Sequence, residues 1–283
     1  MFKRLVIVIL SLILFINEGV VAQGALGYSA LSPEFNLRIE NMVQRCIDQH
    51  VLPGCQILAL YRGEVVYDRN FGNLTYDTNC PVNDSTMYDV ASMTKSLATT
   101  LAVMKLYDDH LLRITDKVSD YLDYTVGTAV GNLTIAELMT HTSGLSAFVP
   151  FYRQISTKGV WDTLYLHSTP DSLYSVKVAD SVYLRSDYPD TVLYKIAHLT
   201  LGPKKYVYSD LGFILMKEIV EKIAGESMDE FLNRHFYRPL NLMRTGFNPR
   251  EWTSVENIAP TENDTYFRKQ VLRGYVHGQS AAG

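Results

Sequence analysis

The chain has 283 residues, 47% of them hydrophobic and 20% charged, and a formal net charge of −4. This length and composition are typical of one large globular domain or two smaller ones. No basic stripe is present, which argues against a nucleic-acid partner, and no Cys/His spacing is typical of a metal site, so neither a metal nor another cofactor is expected.

The N-terminal residues predict a secretory signal peptide. Two basic residues precede an apolar run, residues 5–16, and small residues lead to a cleavage site after Ala22. The run is short for a membrane span, which favours a cleaved signal (residues 1–22) over an uncleaved anchor. We therefore expect export to the periplasm or beyond, with residues 23–283 as the mature domain.

Three cysteines, Cys46, Cys55 and Cys80, leave their redox state open. Export permits one disulfide and leaves one thiol over. The apolar surroundings of the first two favour buried free thiols.

The first structural elements are predicted from capping and turn residues. Ser32 and Pro33 are typical of an N-cap and first helical position, and an apolar face follows them. A short apolar run, residues 55–61, and an alternating run, residues 64–71, flank an Arg-Gly turn and predict a β-hairpin.

Further helices are predicted from periodicity and capping boxes. They cover residues 92–109, 134 to about 141, 211–224, and 227 to about 236. Gly144 suits a left-handed turn after the second of these, and Gly225 ends the third. Residues 146–206 are rich in Tyr, Ser and Asp without a clear period, which fits a pocket wall or plain surface equally well.

Ser92 and Lys95 carry the first chemical signal. They lie three residues apart, on one face if the predicted helix begins near Ser92. A serine hydroxyl needs a base to take its proton, and a partly desolvated lysine amine can be that base. A helix N-terminus would add N–H groups for an oxyanion. Taken alone, the pattern fits an ordinary helix cap better than a nucleophile and base, because a four-residue match with two fixed positions is common by chance.

Tyr208 carries the second signal, because it precedes the predicted helix at Leu211 with only Ser209 and Asp210 between them. A tyrosine hydroxyl near a Ser/Lys pair can relay protons or stabilise charge on either group.

In combination, the motifs resemble those of the serine β-lactamase and penicillin-binding protein superfamily, most of all its class C, esterase and D-alanyl-D-alanine carboxypeptidase branch. Several motifs that occur in one order are more specific for a family than any single motif. The matching segments are residues 91–95 (Ala-Ser-Met-Thr-Lys), 141–145 (His-Thr-Ser-Gly-Leu), 208–212 (Tyr-Ser-Asp-Leu-Gly), 238–240 (Arg-Pro-Leu) with 245–247 (Thr-Gly-Phe), and 274–277 (Gly-Tyr-Val-His).

The resemblance implies an α/β (α+β) fold of the β-lactamase/transpeptidase type, an antiparallel sheet flanked by helices plus an all-helical region. It implies that Ser92 is the acylated nucleophile, Lys95 the general base and Tyr208 the proton-passing partner. Asp210 matches a position often occupied by Asn and would hydrogen-bond Lys95 or substrate; its charge should favour the charged amine. Residues 141–145 would form a structural turn.

The sequence departs from the superfamily pattern at its end. Relatives continue to a third motif, a Lys or His, a small residue and Gly, on a strand beside the nucleophile. We therefore expect a C-terminally incomplete member that lacks those strands. In relatives that strand supplies one N–H to the oxyanion, and loss of one such donor typically lowers the rate by about 100- to 1000-fold.

Three interpretations follow. The first is an exported serine hydrolase acting through an acyl-enzyme on an amide or ester, with a β-lactam, a D-amino-acid peptide or an ester as substrate. The second is a non-catalytic module that binds cell-wall peptides, and the third is a truncated, weak or inactive member. The expected partner is a small-molecule or peptide substrate; the sequence leaves the substrate and the oligomeric state open.

Overall fold

The computed structural model describes residues 32–76 and 79–276 of the chain, which forms two compact units. The first contains the described residues up to Tyr88 together with Phe236–Pro260; the second contains Asp89–His235 and the described residues from Thr261 onward. The predicted signal peptide lies outside the described residues. Within them, no helix has the length and apolar character needed to cross a bilayer.

Helix α1 (Pro33–Asp48) opens the first unit at the predicted position. The Ser32 hydroxyl accepts the Phe35 N–H at 3.3 Å, which is the capping bond that the sequence predicts. The predicted apolar face is only partly covered: Val43 is buried, whereas Met42 and Phe35 are about half exposed. A two-stranded sheet offers too little surface to cover a whole helix face.

The predicted hairpin is confirmed as antiparallel strands β1 (Gly54–Tyr61) and β2 (Glu64–Gly72). Its turn places Arg62 at φ 53° and Gly63 at φ 86°. Left-handed conformations at both positions match the twist of the strands that they connect. All three cysteines of this unit are free and partly buried.

The second unit contains the other α-helices of the described residues. In chain order they are α2 (Thr100–Asp108), α3 (Ile135–Met139), α4 (Tyr152–Ile155), α5 (Tyr188–Ala197), α6 (Asp210–Ala224) and α7 (Met228–Leu232). Helices α2 and α6 pack against each other, and their facing side chains form a buried core. The members of that core are Leu101, Ala102, Leu106, Leu215, Met216 and Ile219.

The prediction of one regular helix over residues 92–109 is wrong in its first half. A 3₁₀ turn (Ala91–Met93) and a π-helix (Lys95–Thr99) precede α2. Both the N–H and the Oγ1 hydroxyl of Thr100 bond to the Lys95 carbonyl, the latter at 2.7 Å, and this i+5 contact widens the turn.

Of three further sequence signals for helix ends, two are confirmed and one is wrong. The Thr134 capping box is present, with Glu137 Oε2 accepting the Thr134 N–H at 2.9 Å. Gly225 ends α6 at φ 69°, as predicted. Ser227 does precede α7, but its hydroxyl donates to Asp229 and Glu230 instead of capping the helix, so the predicted capping box there is wrong.

Residues 146–206, which the sequence leaves without assignment, hold short strands and two helices around one apolar core. The strands are β3 (Ser156–Thr157), β4 (Val160–Trp161), β5 (Leu166–His167), β6 (Val176–Ala179) and β7 (Val182–Leu184). Antiparallel pairing gives a β3–β4 hairpin and a β5-β7-β6 sheet. A later pair, β8 (Pro260–Asp264) and β9 (Gln270–Arg273), adds Leu272 to this core.

Candidate active site

Ser92 lies exposed in the 3₁₀ turn that precedes the π-helix. The Lys95 amine donates a hydrogen bond to its Oγ at 3.0 Å. Ala91, directly before Ser92, has φ 45° and is held there by an N–H bond to Asp89 Oδ1 at 2.7 Å. A left-handed alanine is sparsely populated, and such backbone is often found beside functional side chains.

Asp210 is the ion-pair partner of Lys95. Its Oδ1 lies 2.7 Å from the Lys95 Nζ, and the side chains are 51% and 16% exposed, respectively. Asp210 is the first residue of α6, and its N–H donates to the Ala147 carbonyl at 2.9 Å. The carboxylate is therefore held near the amine by helix α6 and by the 146–206 segment.

Tyr208 approaches the same amine from the segment before α6. Its ring centroid lies 5.0 Å from the Lys95 Nζ, and the Phe213 ring lies 5.8 Å from it. An ammonium over aromatic faces at this range is attracted by the ring quadrupole. The Tyr208 side chain remains partly exposed, so the phenol can reach a bound molecule.

The charge of Lys95 is set by these neighbours. Burial alone would lower the pKa of Lys95, but hydrogen bonding to Asp210 and to the Tyr208 phenol, with their charges, raises it above its usual value. Without bound substrate, the Lys95 amine is therefore protonated at neutral pH. This is the effect that the sequence predicts for an aspartate at position 210. An ammonium has three N–H donors, enough for Ser92, Asp210 and Tyr208 together.

The structure brings all four sequence-predicted residues, Ser92, Lys95, Tyr208 and Asp210, together around one amine. Their roles in a reaction stay predictions. A separate cleft of about 560 Å³ shares no residue with this cluster. Among the described residues, no group of His, Cys, Asp and Glu side chains is arranged to hold a metal ion.

His141 is a site neighbour that sequence reasoning missed, since it was assigned only to a structural turn. Its ring centroid lies 4.5 Å from that of Tyr208, and its Nδ1 accepts the Ser209 N–H at 3.0 Å. A single histidine in a turn gives no sequence signal for such contacts, because they depend on a segment far along the chain.

Residues 39–262 match the sequence profile of a family described as Beta-lactamase. One relative, the "Putative D-alanyl-D-alanine carboxypeptidase" of Escherichia coli O157:H7, is 29% identical over 280 residues; the match covers 88% of this chain and 60% of the relative. The N-acetylmuramyl-L-alanine amidase of Bacillus subtilis (strain 168) is 26% identical over 270 residues, covering 86% and 56%. The chain thus spans about 60% of the length of the relatives it matches.

A solved structure with the same architecture is EstCE1, a hydrolase with promiscuous acyltransferase activity. It has a TM-score of 0.61 and 23% identity, and the match covers 84% of this chain and 59% of that one. At this level of identity, the likeness shows the fold: helices and antiparallel sheet in the β-lactamase/transpeptidase arrangement, as the sequence predicts.

Proposed function

This chain belongs to the beta-lactamase family, and we propose that it is a serine hydrolase that cleaves an amide or ester through a covalent acyl-enzyme on Ser92. The observation that carries this proposal is the 3.0 Å hydrogen bond between Lys95 Nζ and Ser92 Oγ. Asp210 and Tyr208 complete the surroundings of that amine.

The acylation step follows from the valence of the amine. Once Lys95 loses one proton, it has a lone pair and two N–H groups. The lone pair accepts the Ser92 hydroxyl proton, while the two remaining N–H groups stay with Asp210 and Tyr208. The Ser92 oxygen attacks the substrate carbonyl carbon, and the proton held by Lys95 passes to the leaving group, directly or by way of the Tyr208 hydroxyl.

Deacylation uses the same groups with water as the nucleophile. The neutral amine, or Tyr208 acting through it, takes a proton from a water molecule, which attacks the acyl carbonyl and releases the acid. Ser92 recovers its proton from Lys95, so the cycle consumes one water and leaves the enzyme unchanged. The supporting feature is the partial exposure of Ser92 and Tyr208, which admits water.

Peptides or peptide-like amides from the cell wall are the proposed natural substrates. The support is indirect: relatives carry the names of a D-alanyl-D-alanine carboxypeptidase and an N-acetylmuramyl-L-alanine amidase. Export, proposed from residues 1–22, would bring the protein to such substrates. A β-lactam or an ester remains a candidate substrate of the same chemistry.

Covalent labelling at Ser92 tests the proposal. The protein is incubated with a fluorescent fluorophosphonate or penicillin, digested, and the adduct is located by peptide mass. We expect labelling at Ser92 that is lost in Ser92→Ala and kept in Ser96→Ala, a change at an exposed serine one turn on. Folded wild-type protein that gives no adduct at Ser92 would contradict the proposal.

A substrate panel then separates the reaction classes. Nitrocefin, a peptide ending in D-alanyl-D-alanine and a p-nitrophenyl ester are assayed with the wild type and with Ser92→Ala. Turnover of the peptide alone supports a carboxypeptidase, and fast turnover of nitrocefin supports a β-lactamase. A β-lactam that labels without release identifies the slow deacylation expected of a penicillin-binding protein.

The protonated state of Lys95 favours one alternative function, binding of a cell-wall peptide without turnover. An ammonium cannot act as a base, but it binds a peptide carboxylate well. In that case Ser92→Ala would keep the affinity for a D-alanyl-D-alanine peptide, and no product would form at any pH.

A further inference from the structure

The imidazole of His141 lies among the aromatic rings that surround the Lys95 amine. Its centroid is 4.5 Å from the Tyr208 ring and 5.2 Å from the Phe213 ring, with interplanar angles of 39° and 29°. The Tyr206 ring meets it edge-on at 6.1 Å. His141 therefore touches two of the aromatic side chains, Tyr208 and Phe213, that lie against the amine.

His141 is also bonded to the backbone on both sides of Tyr208. Its carbonyl accepts the Val207 N–H at 2.9 Å, and its ring Nδ1 accepts the Ser209 N–H at 3.0 Å. Ser209 is buried, and its hydroxyl donates to the Ser146 carbonyl at 2.7 Å. With residues 207 and 209 both bonded, the backbone that carries Tyr208 is held beside the amine.

We propose that His141 is a positioning residue: its neutral imidazole, through the Nδ1 acceptor, holds the 206–210 segment so that the Tyr208 phenol and the Asp210 carboxylate meet Lys95. This inference rests on the proposed function, since it assigns a task within the same site. It differs from a plain turn role because it depends on the protonation state of one ring nitrogen.

The bond to Ser209 fixes the tautomer. An imidazole nitrogen that accepts an N–H cannot carry a proton, so the neutral ring holds its hydrogen on Nε2. Protonation of His141 would turn Nδ1 into a donor, and its bond to Ser209 would be lost. It would also place a second positive charge near Lys95, so the site should lose its order on acidification.

The groups that face His141 keep the ring neutral near pH 7. Burial and then the Lys95 cation lower the pKa of His141, while the Asp210 carboxylate raises it; the net effect is a pKa below the usual 6.5. The Ser209 N–H, which only the neutral ring can accept, favours the same neutral form. The other facing side chains, Tyr206, Tyr208 and Phe213, are aromatic. The rate of Ser92 acylation falls on acidification in any case, because Lys95 takes up its proton. We expect a further, steeper fall below pH 6.5 as His141 is protonated, and this additional fall is the acid limb of the pH profile.

The backbone at His141 decides which variants are informative. Its φ is 57°, a region where Asn and Gly are tolerated and other residues are strained. His141→Asn keeps both that backbone and a side-chain acceptor, whereas His141→Gly keeps only the backbone. His198→Asn is the matched control, because His198 is an exposed histidine whose ring lies 4.1 Å from another tyrosine, Tyr194.

The experiment measures the rate of fluorophosphonate labelling of Ser92 against pH for the three variants and the wild type. His141→Gly should lose about 100-fold, as is typical when a catalytic group shifts by about 1 Å. His141→Asn should stay within about 10-fold of the wild type and lose the acid limb. His198→Asn should keep both rate and limb. Equal losses in His141→Gly and His141→Asn, or an unchanged acid limb in His141→Asn, would overturn the acceptor role.

A spectroscopic measurement separates this inference from the proposed function. In ¹⁵N-labelled wild-type protein at pH 7.5, the His141 ring should show protonated Nε2 and unprotonated Nδ1, with a coupling across the bond to the Ser209 amide. This result is independent of catalysis and of how the variants fold. A proton on Nδ1 overturns the positioning role even in an active enzyme. Absence of Ser92 labelling with the predicted tautomer present rejects only the hydrolase.

Discussion

Lys95 and Asp210 form an ion pair at 2.7 Å in which the amine is mostly buried and the carboxylate is about half exposed. The pair raises the pKa of Lys95 despite burial, which opposes the charge. Its stabilising effect is therefore present below the usual pKa of 10.5 and is lost as the pH rises through the higher folded value. The ion pair requires the charged amine, whereas acylation requires the neutral amine, because only the neutral amine can accept the Ser92 proton.

The first prediction concerns Asp210→Asn and the pH profile of acylation. The wild-type rate of Ser92 labelling should still increase with pH above neutral, since the neutral fraction of Lys95 is small there. Removal of the carboxylate charge lowers the pKa of Lys95, so the rise should move to lower pH by about one unit or more. Labelling at pH 7 should then be faster in the variant.

The control for this prediction is Asp109→Asn, which removes the partner of the surface residue Lys105 and should leave the profile unchanged. A profile of Asp210→Asn that coincides with the wild type would show that Lys95 is not the group whose deprotonation limits acylation. A proton acceptor other than Lys95 would then have to be sought.

The second prediction separates the Tyr208 hydroxyl from its ring. Tyr208→Phe keeps the ring that contacts His141 and the Lys95 amine but removes the phenol oxygen. If the hydroxyl passes a proton to the leaving group, kcat/KM should fall by about 100- to 10,000-fold. The melting temperature should change little.

Tyr206→Phe is the matched control, because Tyr206 is 69% exposed and its ring also contacts His141. It should keep near wild-type kcat/KM on the substrate that the panel identifies. A loss shared equally by both variants would mean that the aromatic surroundings, and not the Tyr208 hydroxyl, determine the rate.

Local chemistry predicted part of this fold well. The Ser32 cap, the Arg62 and Gly63 turn, and the Gly225 helix end each depend on residues within one turn of chain, and the structure has all three. Ser92 and Lys95 belong to the same class, since three residues separate them. The approach of Tyr208 to this pair was expected only from the family resemblance, because no local pattern joins segments so far apart.

Other features depend on contacts that a sequence pattern cannot express. The strands between residues 156 and 184 are two to four residues long, too short for an alternating period. Their core closes through distant partners, such as Trp161 Nε1, which donates to the Phe267 carbonyl at 2.6 Å. The π-helix at Lys95–Thr99 likewise arises from the extra Thr100 hydroxyl bond, which propensity alone does not predict.

The third prediction concerns Gly144, in the turn that follows His141. Its φ is 84°, and a Cβ there would lie 2.5 Å from the Gly202 carbonyl oxygen. Gly127 has a similar φ of 80°, but a Cβ there would have no neighbour within 4 Å. Alanine at either position should lower the free energy of unfolding by about 1–2 kcal/mol, because its Cβ disfavours the left-handed backbone conformation. Gly144→Ala should lower the free energy of unfolding by about 1–3 kcal/mol more than Gly127→Ala does, because the backbone at Gly202 must also move.

Urea unfolding of the two variants and the wild type measures this difference directly. Equal losses of unfolding free energy in Gly144→Ala and Gly127→Ala would show that the 141–145 turn can move away from Gly202 freely. In that event the turn could not hold His141 firmly against Tyr208, and the positioning inference would be weakened as well.

The last prediction concerns the buried Arg268, whose side chain is fully covered. Its guanidinium contacts Asp264 at 3.0 Å and Glu262 at 2.9 Å, and donates to the Val276 carbonyl at 2.6 Å. Asp264 also accepts backbone N–H groups from the turn that joins β8 and β9. Asp264→Ala removes one partner of a buried charge, which should lower the unfolding free energy by about 3–5 kcal/mol.

The Asp264 carboxylate also makes the stability of the protein depend on pH. Burial would raise the pKa of Asp264, but Arg268 and the backbone N–H groups outweigh it and hold the pKa below its usual 3.8. The stabilisation is therefore complete above pH 3.8 and is lost as the pH falls through the lower folded value. The free energy of unfolding of the wild type should fall steeply in that range, and that of Asp264→Ala should fall less.

Asp109→Ala, which removes the partner of Lys105 in a surface ion pair, is the control and should lower the free energy of unfolding by no more than about 0.5 kcal/mol. If Asp264→Ala costs as little as that surface change, the buried pair is not what holds β8 to β9.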